Sequence, residues 1–189
     1  MKIAVFASGN GSNFQAIAEQ LKESEIEIAF LFSDHKDAFV LERAKKLQIP
    51  EFSFELKEFS SKAEYEKKIL SLLQDYEVDF VVLAGYMKIV HGTLLDAYQD
   101  RILNIHPAYL PEFPGAHGIE DAFLSGAKES GVTVHLVDSG IDTGGILKQT
   151  RVPIKKDDTL ETFENRIHAV EHELYPGVIV DFGKLLVRD

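Results

Sequence analysis

Residues 2–23, "KIAVFASGNGSNFQAIAEQLKE", decide the fold class. "KIAVFA" (2–7) is a short, nearly uninterrupted apolar run, the pattern of a strand buried on both faces. A glycine-rich turn follows, and from Phe14 the apolar residues recur at helical spacing. Strand, tight turn and helix together open a βαβ unit. The pattern repeats downstream. "EIAFLFSD" (27–34) reads as a strand, "AFVLERAKKLQ" (38–48) as a helix halted before Pro50, and "EFSFEL" (51–56) as a short strand. "KAEYEKKILSLLQDYE" (62–77) is the clearest amphipathic helix and "DFVVLAG" (79–85) the clearest buried strand. "KIVHGTLLDAYQ" (88–99) reads as a helix in spite of Gly92, and "RILNIH" (101–106) as the next strand.

Such alternation predicts an α/β fold, a doubly wound and mostly parallel sheet with helices on both faces. After residue 118 the rhythm loosens. A short helix near "IEDAFLSGA", a strand "VTVHLVD" (132–138), a turn "SGIDTGG" and a strand "ILKQTRVPI" (146–154) suggest an antiparallel edge. A long helix from about Thr159 closes the chain, with Pro176 as a kink or break. No repeat or linker interrupts the sequence, so one domain is expected over 1–189.

The 189 residues are 45% hydrophobic and 27% charged, enough for one sizeable core. No apolar run approaches the roughly 20 residues that span a bilayer, and the start of the chain lacks a signal-peptide cleavage pattern. No membrane partner and a cytoplasmic location are the expectations. Thirty-one acidic residues against 20 basic ones give a formal charge of −11, which opposes nucleic-acid binding. With no cysteine, neither a disulfide framework nor a thiol nucleophile is available.

Two loops carry chemistry. In "ASGNGSN" (7–13), Gly9 and Gly11 allow close backbone approach, and Ser12 or Asn13 can cap the helix. Phe14 replaces the third glycine of the dinucleotide fingerprint, and no Gly-Lys-Ser/Thr follows. The loop therefore reads as a tight turn or as a cradle for a single phosphate, on a sugar phosphate rather than a dinucleotide. In "NIHPAYLPEFPGAHG" (104–118), Asn104 and His106 emerge on one face where a strand ends, and Pro107, Pro111 and Pro114 drive the chain out of the sheet. "DSGIDTGG" (138–145) adds Asp138 and Asp142 beside Gly140, Gly144 and Gly145. Each residue alone reads as a loop-structuring group. Together an amide, an imidazole and a carboxylate suit acyl transfer, the first two donating to a developing oxyanion.

The blocks "ASGNGSN", "AGYMKIV", "NIHPAYLPEFPGAHG", "GVTVHLVDSGIDTGGIL" and "AVEHELYP" resemble, in this order, the folate-dependent formyltransferases, specifically the phosphoribosylglycinamide formyltransferase branch. The resemblance spans essentially the whole chain. It implies transfer of formyl from 10-formyltetrahydrofolate, a cosubstrate, to the amine of glycinamide ribonucleotide in purine synthesis, by direct attack through a tetrahedral intermediate and without metal. It implies catalytic roles for Asn104, His106 and Asp142, phosphate binding by Gly11, Ser12 and Asn13, and a glycinamide-side carboxylate at Glu171. The folate side would comprise Lys62, Met87, Lys88, Ile89, Val90, Asn104, Asp138, Gly140, Ile141 and Asp142. About 1–100 would be the ribonucleotide-phosphate half and about 101–189 the catalytic and folate half, in a monomer or homodimer acting on small molecules. Lys62 and Lys88 stand where this family often has Arg, and a point charge lacks the bidentate fork. About Ala108 to Gly131 resembles the family's lid and is expected to order poorly without substrates.

Competing readings remain open at this point. "HAVEH" (168–172) fits an inverted zincin pattern, with His168 and His172 one helical turn apart, but lacks an evident third ligand. Otherwise both histidines sit on a helix surface while Glu171 faces the pocket. Methionyl-tRNA formyltransferase and formyltetrahydrofolate deformylase share parts of the pattern, each normally with a further domain. A non-catalytic sugar-phosphate sensor would leave Asn104, His106 and Asp142 without a role.

Overall fold

The computed structural model describes residues 1–188. Seven strands form one sheet in the order β3-β2-β1-β4-β5-β6-β7. They are β1 (Lys2–Phe6), β2 (Glu27–Ser33), β3 (Glu51–Ser53), β4 (Phe80–Leu83), β5 (Ile102–His106), β6 (Glu129–Leu136) and β7 (Ile146–Pro153). The first five are parallel, while β6 and β7 run antiparallel, as the looser C-terminal rhythm suggested. Six α-helices connect or cover them: α1 (Ser12–Gln20), α2 (Phe39–Lys46), α3 (Lys62–Asp75), α4 (Gly92–Ala97), α5 (Gly118–Leu124) and α6 (Leu160–Arg188).

Alternation along β1 splits the core between the two faces of the sheet. Ile3 and Val5 pack with Phe14 and Ile17 of α1, Val40 of α2 and Phe182 of α6. Ala4 and Phe6 pack with Tyr65 and Ile69 of α3 and Leu94 of α4. Each such fully buried side chain contributes ~1.5–3 kcal/mol relative to exposure. Strand order reverses between β1 and β4, opening a crevice beyond their carboxyl ends.

The structure corrects three local expectations. Lys88–His91 is not helical, and α4 starts at Gly92. Side chains of α3 take its backbone groups: Lys62 Nζ donates to the Ile89 carbonyl at 2.8 Å, and Glu66 Oε2 accepts the His91 N–H at 2.8 Å. Neither Ser12 nor Asn13 caps α1, because Gly11 holds the cap position at φ 80°. Pro176 does not break α6. The carbonyl four residues back, on His172, which proline cannot bond, instead accepts Gln20 Nε2 at 2.9 Å. The segment from about Ala108 to Gly131, likened to the family's lid, contains the short helix that the sequence suggested. Ala108 and Leu110 are buried on Thr133, Gly118–Leu124 forms α5, and residues 129–131 belong to β6.

Tyr175 ties α6 to the crevice: its ring is fully buried and its hydroxyl donates to the Leu83 carbonyl at the end of β4, at 2.8 Å. Tyr175→Phe keeps the packing and removes that hydrogen bond. Denaturant unfolding should show a loss of about 1–2 kcal/mol; an unchanged midpoint would remove this bond from the account of how α6 is held.

Candidate functional site

A cleft of about 680 Å³ opens beyond β4 and β5. Its walls come from both halves of the chain: Asn13, the segment 85–90, the end of β5, the loop after β6, and one face of α6. Of the residues singled out from sequence, Asn104, His106, Asp138, Gly140, Ile141, Asp142, Met87, Lys88, Ile89, Val90, Asn13 and Glu171 all line it. Gly11 and Ser12 stand beside it at the start of α1, and Lys62 touches its wall through the Ile89 carbonyl.

Asp142 is the hub. Its Oδ2 lies 3.5 Å from His106 Nδ1 and accepts the Gly115 N–H at 2.8 Å, while its Oδ1 lies 3.5 Å from His135 Nε2. Burial pushes this carboxyl up, but the hydrogen bond from His135, the Gly115 N–H and the neighbouring His106 outweigh it. The net effect holds Asp142 below its ordinary range, as a carboxylate. Asn104 Nδ2 reaches His135 Nε2 at 3.3 Å, the two residues being register partners across β5 and β6. Since a carbonyl only accepts, His135 Nδ1 donates to the Leu136 carbonyl at 2.7 Å, and His106 Nε2 donates to the Phe113 carbonyl at 2.7 Å. A Cβ at Gly118 would stand 3.1 Å from His106 Nε2, so the last glycine of "GAHG" makes room for the imidazole.

His135 is the functional residue that the sequence reading passed over. Its signal was an imidazole inside the otherwise apolar "VTVHLV", where a single polar ring in a central strand needs a partner. Asp138 turns inward on its own loop, accepting the Gly140 N–H at 2.9 Å and the Thr143 hydroxyl at 2.6 Å. The Thr143 bond comes first among the causes that hold its carboxyl low.

At the other end, Gly11 lets α1 start against α2. A Cβ there would sit 2.3 Å from Val40 Cγ2, and φ 80° already disfavours other residues. With no side-chain cap, the first N–H groups of α1 are free for an anion. Ser12 Oγ meets His172 Nε2 at 3.1 Å, and Asn13 Nδ2 donates to Glu171 Oε2 at 3.1 Å. Asn13 Oδ1 is buried and accepts no hydrogen bond among the described residues. His168 is not a mere surface residue: it lines the cleft, its Nδ1 2.9 Å from Glu171 Oε2 and its Nε2 3.4 Å from Glu164 Oε1. His168 and His172 thus serve different partners, and among the described residues no three acidic or imidazole groups converge as metal ligands would.

The Glu171 hydrogen bond raises His168 above its ordinary 6.5, more than burial lowers it. Burial moves His172 the other way. A raised histidine contributes stability fully below the unfolded value and loses it as pH climbs through the folded one. The melting temperature of the wild type should therefore fall toward that of His168→Gln as pH climbs upward from the ordinary 6.5. Parallel curves for the two proteins over that climb would contradict the pairing.

Residues 1–179 match the formyl transferase family model. A phosphoribosylglycinamide formyltransferase of Bacillus subtilis is 50% identical over 180 residues, 94% of this chain and 92% of that protein. The crystal structure of the Streptococcus pneumoniae phosphoribosylglycinamide formyltransferase is 62% identical, with a TM-score of 0.90 over 94% of this chain and 96% of its own. That of Bacillus halodurans is 46% identical, with a TM-score of 0.93 over 96% and 95%. The chain is a member of the formyl transferase family.

Proposed function

We propose that this chain transfers the formyl group of 10-formyltetrahydrofolate to the amine of glycinamide ribonucleotide, a step of purine biosynthesis. The observation that carries the reading is the position of Asp142 and its imidazoles, at the junction between an anion-ready helix start and an apolar, peptide-lined strip. A sugar-phosphate sensor needs only the first of these.

The acceptor lies along α1 and α6. The free N–H groups at Gly11, Ser12 and Asn13 take its phosphate, and Glu171 accepts from its glycinamide end. The buried Asn13 Oδ1 needs a donor, so the Asn13 side chain serves an N–H or O–H of the acceptor and its backbone serves the phosphate. The folate side fits its ligand as well. Met87, Ile89 and Ile141 expose apolar side chains into the cleft, at 67%, 51% and 59%, giving a flat ring a surface to cover. Val90, Gly140 and Asp138 complete that wall, and Lys88 and Lys62 offer positive charge toward the folate carboxylates.

10-Formyltetrahydrofolate supplies an activated one-carbon unit. Asn104 Nδ2 and His106 Nε2 donate to the formyl oxygen as negative charge develops there, the incoming oxygen displacing the Phe113 carbonyl from His106. Asp142 holds both imidazoles in place and passes the proton that the attacking amine loses to N10 of the folate, so that the C–N10 bond breaks and tetrahydrofolate leaves. Residues 112–117 cover the centre and exclude the water that would otherwise intercept the formyl group. One domain does all of this, with acceptor residues drawn from both ends of the sequence. A cytoplasmic location and a monomer or homodimer accompany the reading.

Asn104→Ala should fold normally and lose roughly 10²–10³ in turnover, the usual effect of deleting one oxyanion donor. Turnover near the wild-type rate would rule Asn104 out. In parallel assays with 10-formyltetrahydrofolate, formyl should move to glycinamide ribonucleotide, with methionyl-tRNA and water as poor acceptors. Equal release of formate without any acceptor would instead favour deformylation.

A further inference from the structure

Asp34 has no part in the chemistry above, yet it is a carboxylate only 2% exposed, just past the carboxyl end of β2. A buried ionised group is retained only where its oxygens are well used. Ser8 Oγ donates to its Oδ1 at 2.5 Å. The same hydroxyl accepts the backbone N–H of Met87 at 2.9 Å, so carboxylate, hydroxyl and amide form one line from β2 across β1 to the loop after β4. Asp34 Oδ2 lies 3.6 Å from Lys88 Nζ, on the very next residue of that loop, and 3.6 Å from Nε2 of the half-exposed His35. The Ser8 N–H also donates to the Gly85 carbonyl at 3.0 Å.

Gly85, Met87 and Lys88 are thereby held at three successive points. This is the irregular stretch that α3 keeps from becoming helix and that forms the apolar wall of the cleft. Met87 and Ile89 face outward into the cleft, whereas Tyr86 packs on Phe6 and bonds the Tyr65 hydroxyl, and Val90 is buried in the core. The backbone is fixed from behind: α3 holds Tyr86, Ile89 and His91, while Ser8 and Asp34 hold Gly85, Met87 and Lys88.

We propose that Asp34 is a positioning residue for formyl-donor binding: acting through Ser8 on the Met87 amide and directly on Lys88, it sets the course of residues 85–90 against which the folate lies. This rests on the reading of that wall as the folate side. The carboxylate orients a charge-assisted hydrogen bond to Ser8, which leaves the serine lone pairs aimed at Met87. It also draws the Lys88 ammonium back toward the cleft floor, where a Lys lacks the fork that would otherwise fix its direction.

Asp34→Asn keeps an acceptor for Ser8 and puts an amide N–H against Lys88. Ser8→Ala removes the bridge to Met87 and keeps the charge pair. Both variants should raise KM for 10-formyltetrahydrofolate about 5- to 20-fold, leaving kcat and KM for glycinamide ribonucleotide within about twofold. The double variant should show less than the product of the two single effects, since both act on one loop. Amide exchange at Met87, followed by NMR in the free protein, should quicken in both. That arm needs no assumption about substrate, so it separates failure of the latch from failure of the folate reading. Equal rises in both Michaelis constants, a fall confined to kcat, or unchanged Met87 exchange each overturns the proposal. Should Asp34→Asn not fold, Ser8→Ala alone decides the matter by the same readings.

Discussion

Strands β1 and β4 are buried on both faces, and this constraint governs where polar chemistry can stand. A side chain in the middle of either strand meets helices whichever way it points, so an unpaired polar group there would be costly. Only the strand ends are free. Because the connections run outward in opposite directions from β1 and β4, the loops at their carboxyl ends diverge and leave the crevice between them. The glycine loop, the segment 85–90 and the end of β5 all meet that crevice. The antiparallel turn into β6 then brings a second polar strand end, Leu136 to Thr143, across from the first.

Within that crevice charge is arranged economically. The chain carries a net charge of −11, yet the carboxylate at the reacting centre is flanked by two imidazoles and a backbone N–H rather than by Lys or Arg. Imidazoles can give or take a proton near neutral pH, whereas an ammonium or guanidinium beside Asp142 would hold its charge throughout. The permanent cations near the cleft, Lys62 and Lys88, stand instead at the segment 85–90. The carboxylates Glu164 and Glu171 line the α6 side of the cleft, each beside His168.

Much of the sheet was legible in the sequence, because strands buried on both sides leave continuous apolar runs such as "DFVVLA". The helix α3 was equally plain, since half-exposed helices show their period. What escaped were features settled by residues far along the chain. Nothing in "KIVHG" announces that Lys62 and Glu66 will claim its backbone groups, so its apolar spacing read as helix. Gly11 rather than Ser12 ends the first loop because Val40, in another helix, leaves no room for a side chain. Pro176 looked like a break because its missing bond is made good by Gln20, more than 150 residues earlier. Within the site, Asn104, His106 and Asp142 stood out through their loops of proline and glycine. His135 did not, because it lies inside a strand and its meaning depends on the register of β6 against β5.

The joining of α1 to α6 sets an order on the birth of the enzyme. Asn13 meets Glu171 across 158 positions, and Ser12 meets His172 across 160. As the polypeptide leaves the ribosome from its amino end, the parallel strands and the wall at 85–90 can assemble while the last helix is still being made. The contacts between α1 and α6 cannot, because Glu171 and His172 are made long after Asn13 and Ser12. A nascent chain can therefore complete the wall at 85–90 before Asn13 and Ser12 have met their partners on α6.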